Sequence, residues 1–483
     1  MTYQEFLLAK TRIEEDRGVC CHVEDVHPAL YPHQRAMVAW AVNGGRRAIF
    51  AAFGLGKSLM QLEIVRLCMA KSGSERGLIV CPLGVKQEFI RDSKLIGLSP
   101  KFVRATAEVQ DPGIYLTNYE SVREGKIDPL LFDVVSLDEA AILRGFGGTK
   151  TFREFMAIFA GDDRRGGTKT RVRDVPYRFV ATATPSPNDY IELLSYAAYL
   201  GIMEVGEAKT RFFKRDSEKA DNLTLLPHSE DAFWAWVKSW AVFVQKPSNL
   251  GFSDEGYTLP PMTVRWHEIE TDHATALPDK FGQGQLLKSS AIGVQQASRE
   301  KRDTLHLRVA KMMEIRSADP DAHRVIWHDL EDERRAIERA IPDVVSVFGS
   351  QKDDAKESAV LGFGDGAIRE LAAKPVMLGA GVNLQRHCSW AIFLGIGFKF
   401  ADFIQAIHRI YRFGQTKEVV IDLIYTEAER EVKATLVRKW EQHKLMVQRM
   451  EALIEKHGLG TDAAESGLIR TMGCERGEVS GDG

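Results

Sequence analysis

At 483 residues the chain is too long for one compact core, and roughly two to four folding units are expected. A hydrophobic share of 44% beside 27% charged residues supplies enough apolar surface to offset the entropy of ordering, so an ordinary globular protein is expected and disorder is not the default. The formal net charge of −3 excludes an overall basic surface, so any nucleic-acid contact must come from a local basic track balanced by acids elsewhere.

Residues 1–29 read as an N-terminal extension. From residue 30 onward, short runs rich in Val, Ile and Leu alternate with helix-length amphipathic segments, the pattern of a parallel sheet wrapped by helices. Buried strands are expected at 47–51, 77–81, 113–117, 134–138 and 178–181. Ahead of the first lies LYPHQ, whose Gln34 stands where an amide could read adenine.

Directly after the first strand comes FGLGKS, residues 53–58, followed by the helix-like LMQLEIVRLCMA. Strand, glycine turn and helix in that order aim backbone N–H groups and a helix N-terminus at an anion. Gly54, Leu55 and Gly56 would curl around phosphate, Lys57 would reach the β- and γ-phosphates, and the Ser58 hydroxyl would hold magnesium. The full GxxxxGK[ST] string is not met, because Ala51 stands where its first glycine would be.

LDEAA, residues 137–141, follows the apolar run FDVVS, which puts Asp138 and Glu139 at the carboxyl edge of a neighbouring strand. Paired acids at a strand end are, alone, an ordinary solvated turn. Following a phosphate loop, Asp138 suits magnesium and Glu139 suits an attacking water that must be oriented and deprotonated. The loop GDDRRGGTKTRVRD at 161–174 offers Arg164, Arg165, Lys169, Arg171 and Arg173 to phosphates, or else is a solvated insertion. TATP at 182–185 ends the next strand, with Thr182 and Thr184 suited to sensing the state of the acids.

Residues 201–258 differ in character and read as a helical insertion and linker. Trp234, Trp236 and Trp240 of FWAWVKSW have the spacing of a packed helical core rather than of a base-stacking platform. Leu259, Pro260 and Pro261 form a hinge, since paired prolines resist helix and sheet alike. Residues 259–458 repeat the strand rhythm, at 323–328, 344–348, 375–378, 390–394 and 419–424. QAIHRIYRFGQ, residues 405–415, reads as a helix with Gln405, Arg409 and Arg412 on one face. Two arginines presented together suit a transferring phosphoryl group, whose charge spreads over several oxygens, or they form a solvated basic face. The tail 459–483 is Gly-rich and polar.

The six cysteines show no CxxC spacing and are expected as reduced thiols. The opening segment MTYQEFLLAKTRIEEDRG lacks an apolar signal core, and no run of about 18 apolar residues occurs. Neither secretion nor membrane insertion is expected.

Taken in order from residue 30 to about residue 429, these segments resemble the superfamily 2 helicases and, among them, the Swi/Snf-type double-stranded DNA translocases. LYPHQ resembles the adenine-reading motif, FGLGKS the phosphate loop, and LDEAAILRG with Lys150 downstream the DEAH box. LIVCPLGVKQEF and LTNYES resemble DNA-facing segments, and RFVATATPSPNDYIELLS, with Asn188 and Glu192, resembles the coupling motif. AGVNLQ and QAIHRIYRFGQTKEVVIDLI resemble the last two motifs, the paired arginines followed by FGQ and a strand being the most specific. LAAKPVMLGAGVNLQ resembles a compact version found in phage and prophage genomes.

The resemblance implies an α/β fold of two tandem RecA-like lobes, 30–200 and 259–458, with the helical insertion between them. It implies ATP with Mg2+, hydrolysis to ADP and phosphate, duplex DNA as partner, and the cytosol of a bacterium or a phage-infected host. Lys57, Asp138, Glu139, Arg409 and Arg412 are its catalytic residues, and Gln34, the loop Gly54 to Ser58 and Gly381 its nucleotide contacts. Ser58 and Asp138 hold Mg2+. Thr182, Thr184 and Gln405 couple hydrolysis to movement, while Lys86, Asn118, Lys150 and Asn383 meet the nucleic acid. Ala141 replaces the usual histidine of the box, which puts tight coupling in doubt, and Ala51 and Ala52 replace an acidic pair ahead of the phosphate loop. Alternatives are a strand-separating DNA or RNA helicase, the motor subunit of a restriction or defence complex with a methyltransferase or nuclease partner, and a scaffold with a decayed ATP site.

Overall fold

The computed structural model describes residues 15–143, 150–160, 162–163, 170–171, 174–185, 190–215, 223–270, 300–378, 383–397 and 400–458. The chain divides into two compact units, residues 1–255 with 447–483, and residues 256–446.

In the first unit the apolar runs become β1 (Arg46–Ala51), β2 (Arg76–Val80), β3 (Lys101–Phe102), β4 (Gly113–Thr117) and β5 (Val134–Asp138). Then follow β6 (Asp162–Asp163), β7 (Thr170–Arg171), β8 (Tyr177–Thr182), β9 (Phe213–Arg215), β10 (Leu223–Leu225) and β11 (Ala241–Val244). Seven of them form one sheet in the order β11-β1-β8-β5-β2-β4-β3. Every pairing in it is parallel. β6 with β7 and β9 with β10 are small antiparallel pairs. A parallel sheet is covered by helices on both faces, which is why β1 and β5 are buried at every residue. Arg46 and Arg47 are buried at the amino end of β1 and are neutralised there, by Asp174 at 2.8 Å and by Asp16 respectively.

Residues 201–255 belong to this unit and supply its edge strand β11, which pairs with β1. The aromatic run packs: Trp234 and Trp240 are fully buried and Trp236 is 1% exposed, with Trp236 stacked on Phe212 at 5.2 Å between ring centres. Met450 and Ile454, near the end of the helix Arg430–His457, join the same core.

The second unit contains β12 (Met262–Ile269), β13 (Arg324–Trp327), β14 (Val345–Val347), β15 (Glu370–Ala373), β16 (Trp390–Phe393) and β17 (Val419–Thr426). They form an all-parallel sheet in the order β12-β17-β16-β13-β15-β14. Both units are therefore α/β, with parallel sheets of seven and six strands consistent with tandem RecA-like lobes. The strand expected at 375–378 is corrected: those residues form a 3-10 turn, and β15 lies just before it. Pro375 has no N–H to give to a ladder, so the strand ends ahead of it. β12, which starts directly after Pro261, is an added edge strand whose half-buried alternation gave no continuous apolar run.

No described helix is long and apolar enough to cross a membrane. The described cysteines, Cys20, Cys21, Cys68, Cys81 and Cys388, are free thiols.

Candidate active site

Because every strand of the first sheet runs the same way, the residues that follow β1, β5 and β8 emerge at one edge. β8 lies between the other two, and its Thr182 pairs with Phe50 while its Ala181 pairs with Asp138. The phosphate-loop candidate, the paired acids and the threonine segment are thus brought to a single edge, with Thr182 in the middle.

The loop between β1 and the helix Lys57–Ser72 turns through Gly54 and Gly56, whose φ values are 88° and 77°. That left-handed backbone costs glycine nothing. At Gly56 space also demands it, since a Cβ there would come within 2.3 Å of Gln34 Nε2. Gln34 is 3% exposed; its Nε2 donates to the Leu55 carbonyl at 3.0 Å and its Oε1 accepts the Tyr31 N–H at 2.9 Å. The amide expected to read adenine is here a brace between the start of the helix Pro32–Gly44 and the glycine loop that follows β1. Lys57 folds back so that Nζ donates to the carbonyls of Ala51 at 3.0 Å and Ala52 at 3.2 Å. An ammonium in that position is held at the strand end.

Ser58 donates through its hydroxyl to Glu88 Oε1 at 3.1 Å, from the helix Lys86–Leu95. Asp138 is buried, and its Oδ1 accepts from Gln61 Nε2 at 2.8 Å. Burial foremost, and then the charge of Glu139, push the Asp138 carboxyl up to about 7. Burial and then Glu88 raise Asp92 to about 6. The edge is thus rich in carboxylates whose mutual repulsion a divalent cation would relieve. Glu139 has φ 50°, the one positive value among the described non-glycine residues, and Thr182 donates to its Oε2 at 3.3 Å. Thr184 gives its N–H to Thr182 Oγ1 at 3.2 Å. Strain held at a residue of this kind is a common mark of a functional position.

The sequence reading missed Glu88, Asp92, Gln61 and Ser136. Glu88 carried a signal, lying in the helix that opens after LIVCPLGV, but nothing in its spacing points to Ser58.

Among the remaining candidates, Asn118 caps the helix Tyr119–Arg123, its Oδ1 accepting the Ser121 N–H at 3.1 Å. Lys86 lies over the Phe102 ring at 5.0 Å. Glu192 is buried ahead of the helix Leu193–Leu200. Lys150 opens the helix Lys150–Phe159. Gly381, Asn188 and the basic residues Arg164, Arg165, Lys169 and Arg173 lie outside the described residues, and Arg171 is described only as part of β7.

In the second unit the expected continuous helix through 405–415 is corrected. The helix Phe400–Ile407 carries Gln405 and stops, and turns follow, with the Tyr411 N–H given to the Ile407 carbonyl at 2.9 Å. Arg409 and Arg412 sit on these turns and are 4% and 9% exposed, so they do not form a solvated basic face. The reason lies in Gln415, 5% exposed, whose Nε2 donates to the carbonyls of Cys388 and Ile410 while its Oε1 accepts the N–H groups of Thr416 and Lys417, at 2.9 to 3.0 Å. One side chain thereby closes the turn against the end of the AGVNLQ segment. That segment is tied in further by the Leu384 N–H on the Arg409 carbonyl at 3.2 Å and by Gln385 Nε2 on the Phe413 carbonyl at 3.0 Å. Asn383 is half-buried beside them.

No protein-family model matches the chain, and no curated protein sequence matches it. Among solved structures it is similar to the Sulfolobus solfataricus SWI2/SNF2 ATPase core in complex with dsDNA, at 16% identity, over 86% of this chain and 90% of that one, with a TM-score of 0.39. At that identity and superposition, neither the neighbour's DNA nor its activity transfers to this chain.

Proposed function

We propose that this chain is an ATP-hydrolysing nucleic-acid motor, and more narrowly a double-stranded DNA translocase of the Swi/Snf-like type. The observation that carries the ATPase reading is the convergence of Lys57, Ser58, Asp138, Glu139 and Thr182 on one sheet edge, from segments up to 125 residues apart. Three independent sequence signals meeting at one place is not what solvated turns would give.

The donor set fits Mg2+: a hydroxyl at Ser58 and a carboxylate at Asp138 are hard oxygen ligands, and the buried acids beside them carry charge that calls for a cation. Bound there, the ion would offset charge developing on the phosphates. The glycine loop would present its N–H groups to the phosphates, and Lys57 would exchange its two carbonyl partners for phosphate oxygens. Glu139, aimed by its left-handed backbone and steadied by Thr182, would take the proton of the attacking water. Arg409 and Arg412 are assigned to the transferring phosphoryl group.

What supports duplex DNA is the ordered motif set ending in QAIHRIYRFGQ. Contacts to phosphates carry no base information, so binding would be sequence-independent and would weaken with salt. The test is ATP turnover measured in parallel with duplex DNA, single-stranded DNA and RNA. Stimulation by duplex alone is the expected result; stimulation by single strands alone would replace translocation with strand separation. Lys57→Ala should lower turnover at least about a hundredfold. Turnover equal to that of the unaltered protein would sink the ATPase assignment.

A further inference from the structure

We infer that Gln61 is a positioning residue for the magnesium carboxylate: its amide, oriented by Ser136, occupies Oδ1 of Asp138 and reserves Oδ2 for the metal. The inference rests on the ATPase reading above and adds a residue to it.

Two periodicities interlock here. Gln61 follows Lys57 by four residues and Ser58 by three on the helix Lys57–Ser72, so all three share a face. Ser136 and Asp138 are two apart on β5 and point to the same side of the sheet. Where these faces meet, the Ser136 hydroxyl donates to Gln61 Oε1 at 2.7 Å, and Gln61 Nε2 donates to Asp138 Oδ1 at 2.8 Å. Gln61 is 1% exposed and Ser136 fully buried, so water does not compete for either group.

The direction of this chain matters. A carboxylate only accepts, so the amide must turn its NH2 toward Asp138; the reverse orientation would set two oxygens against each other at hydrogen-bond distance. Ser136 reinforces that choice by giving its proton to the carbonyl end of the amide. The main chain of Asp138 is fixed as well, its carbonyl accepting from the buried Tyr119 hydroxyl. Oδ2 accepts no hydrogen bond from any described residue. The helix that begins with the phosphate-binding lysine therefore also decides, one turn on, which oxygen of the strand's carboxylate faces the cation. Losing a partner that orients a metal's ligand in this way typically costs roughly 10–100-fold in metal affinity.

The experiment compares Gln61→Leu and Ser136→Ala with the unaltered full-length chain. A fluorescent ATP analogue is titrated in EDTA, Mg2+ is titrated at saturating ATP with turnover as the readout, and thermal midpoints report folding. Gln61→Leu should raise the Mg2+ concentration for half-maximal turnover about tenfold or more, while affinity for the analogue in EDTA stays unchanged. Ser136→Ala, which keeps the amide but frees its orientation, should raise it by a smaller factor of about three. If Gln61→Leu fails to fold, Ser136→Ala alone carries the test. Unchanged Mg2+ dependence in the folded variants overturns the inference and leaves the ATPase reading standing. Absence of Mg2+-dependent turnover in the unaltered protein overturns the ATPase reading itself.

Discussion

Thr182 and Glu139, 43 residues apart in sequence, meet at the edge of the first sheet, where the Thr182 hydroxyl donates to Glu139 Oε2 at 3.3 Å. The contact exists because β8 is inserted between β1 and β5, and it gives the end of β8 a direct hold on the acid assigned to the attacking water. Thr182→Val keeps the shape of the side chain and removes the donor. It should lower kcat for ATP about tenfold with KM little changed, the loss expected of one hydrogen bond to a charged group. Steady-state kinetics with saturating nucleic acid checks this, and a change confined to KM would contradict it.

Glu139 holds its left-handed backbone at a cost, since such a conformation disfavours a residue with a Cβ by roughly 1–2 kcal/mol. Glu139→Gly should therefore abolish ATP turnover while raising stability by about 1 kcal/mol. Glu139→Gln, which keeps the strain, should lose turnover without that gain. Denaturant midpoints for the pair separate backbone relief from loss of the carboxylate.

His408 lies between the last helical turn and Arg409, and burial foremost pushes its imidazole down to about 4, with the positive charges of Arg412 and Arg409 acting the same way. The folded chain thus keeps this ring neutral where the unfolded chain would protonate it. Its contribution is undiminished above the ordinary value of 6.5 and is lost as pH falls toward 4. The loss should reach roughly 2 kcal/mol at about pH 5. Urea unfolding at about pH 7.5 and about pH 5 measures it, and His408→Gln should flatten the dependence by that amount. An unaltered slope in the variant would assign the acid sensitivity elsewhere, for example to His33 of the first unit, which burial also lowers to about 4.

Gln415 satisfies four backbone groups around the turn that carries Arg409 and Arg412. Gln415→Ala should destabilise the protein by roughly 2 kcal/mol, because the buried carbonyls of Cys388 and Ile410 lose a donor that water cannot replace. Turnover should fall with it, since the two arginines lose the turn that holds them. Thermal unfolding and ATPase assays on the same sample provide the check; full activity at reduced stability would detach the turn from the chemistry.

Most of the first sheet was legible in the sequence because its buried strands are short, continuous apolar runs, and the packing of Trp234, Trp236 and Trp240 followed from their helical spacing. The second half was harder to read. A half-buried edge strand such as β12 carries too little apolar content to stand out, and the apolar run at 375–378 suggested a strand where the chain forms a 3-10 turn, the true strand β15 ending at Ala373 just before it. The helical reading of 405–415 failed for a tertiary reason: Gln415 draws the chain into turns by bonding to Cys388, which lies 27 residues earlier.

The sequence by itself determined the strand, glycine turn and helix around FGLGKS, the acids at the end of β5 and the threonines at the end of β8, since each is a local pattern set by backbone geometry. Only the tertiary structure decided that Ser58 faces Glu88, that Thr182 holds Glu139, and that Gln61 stands between Ser136 and Asp138. Those pairings depend on the order of strands in a sheet, and residues 75 or 77 apart carry no spacing from which that order can be read.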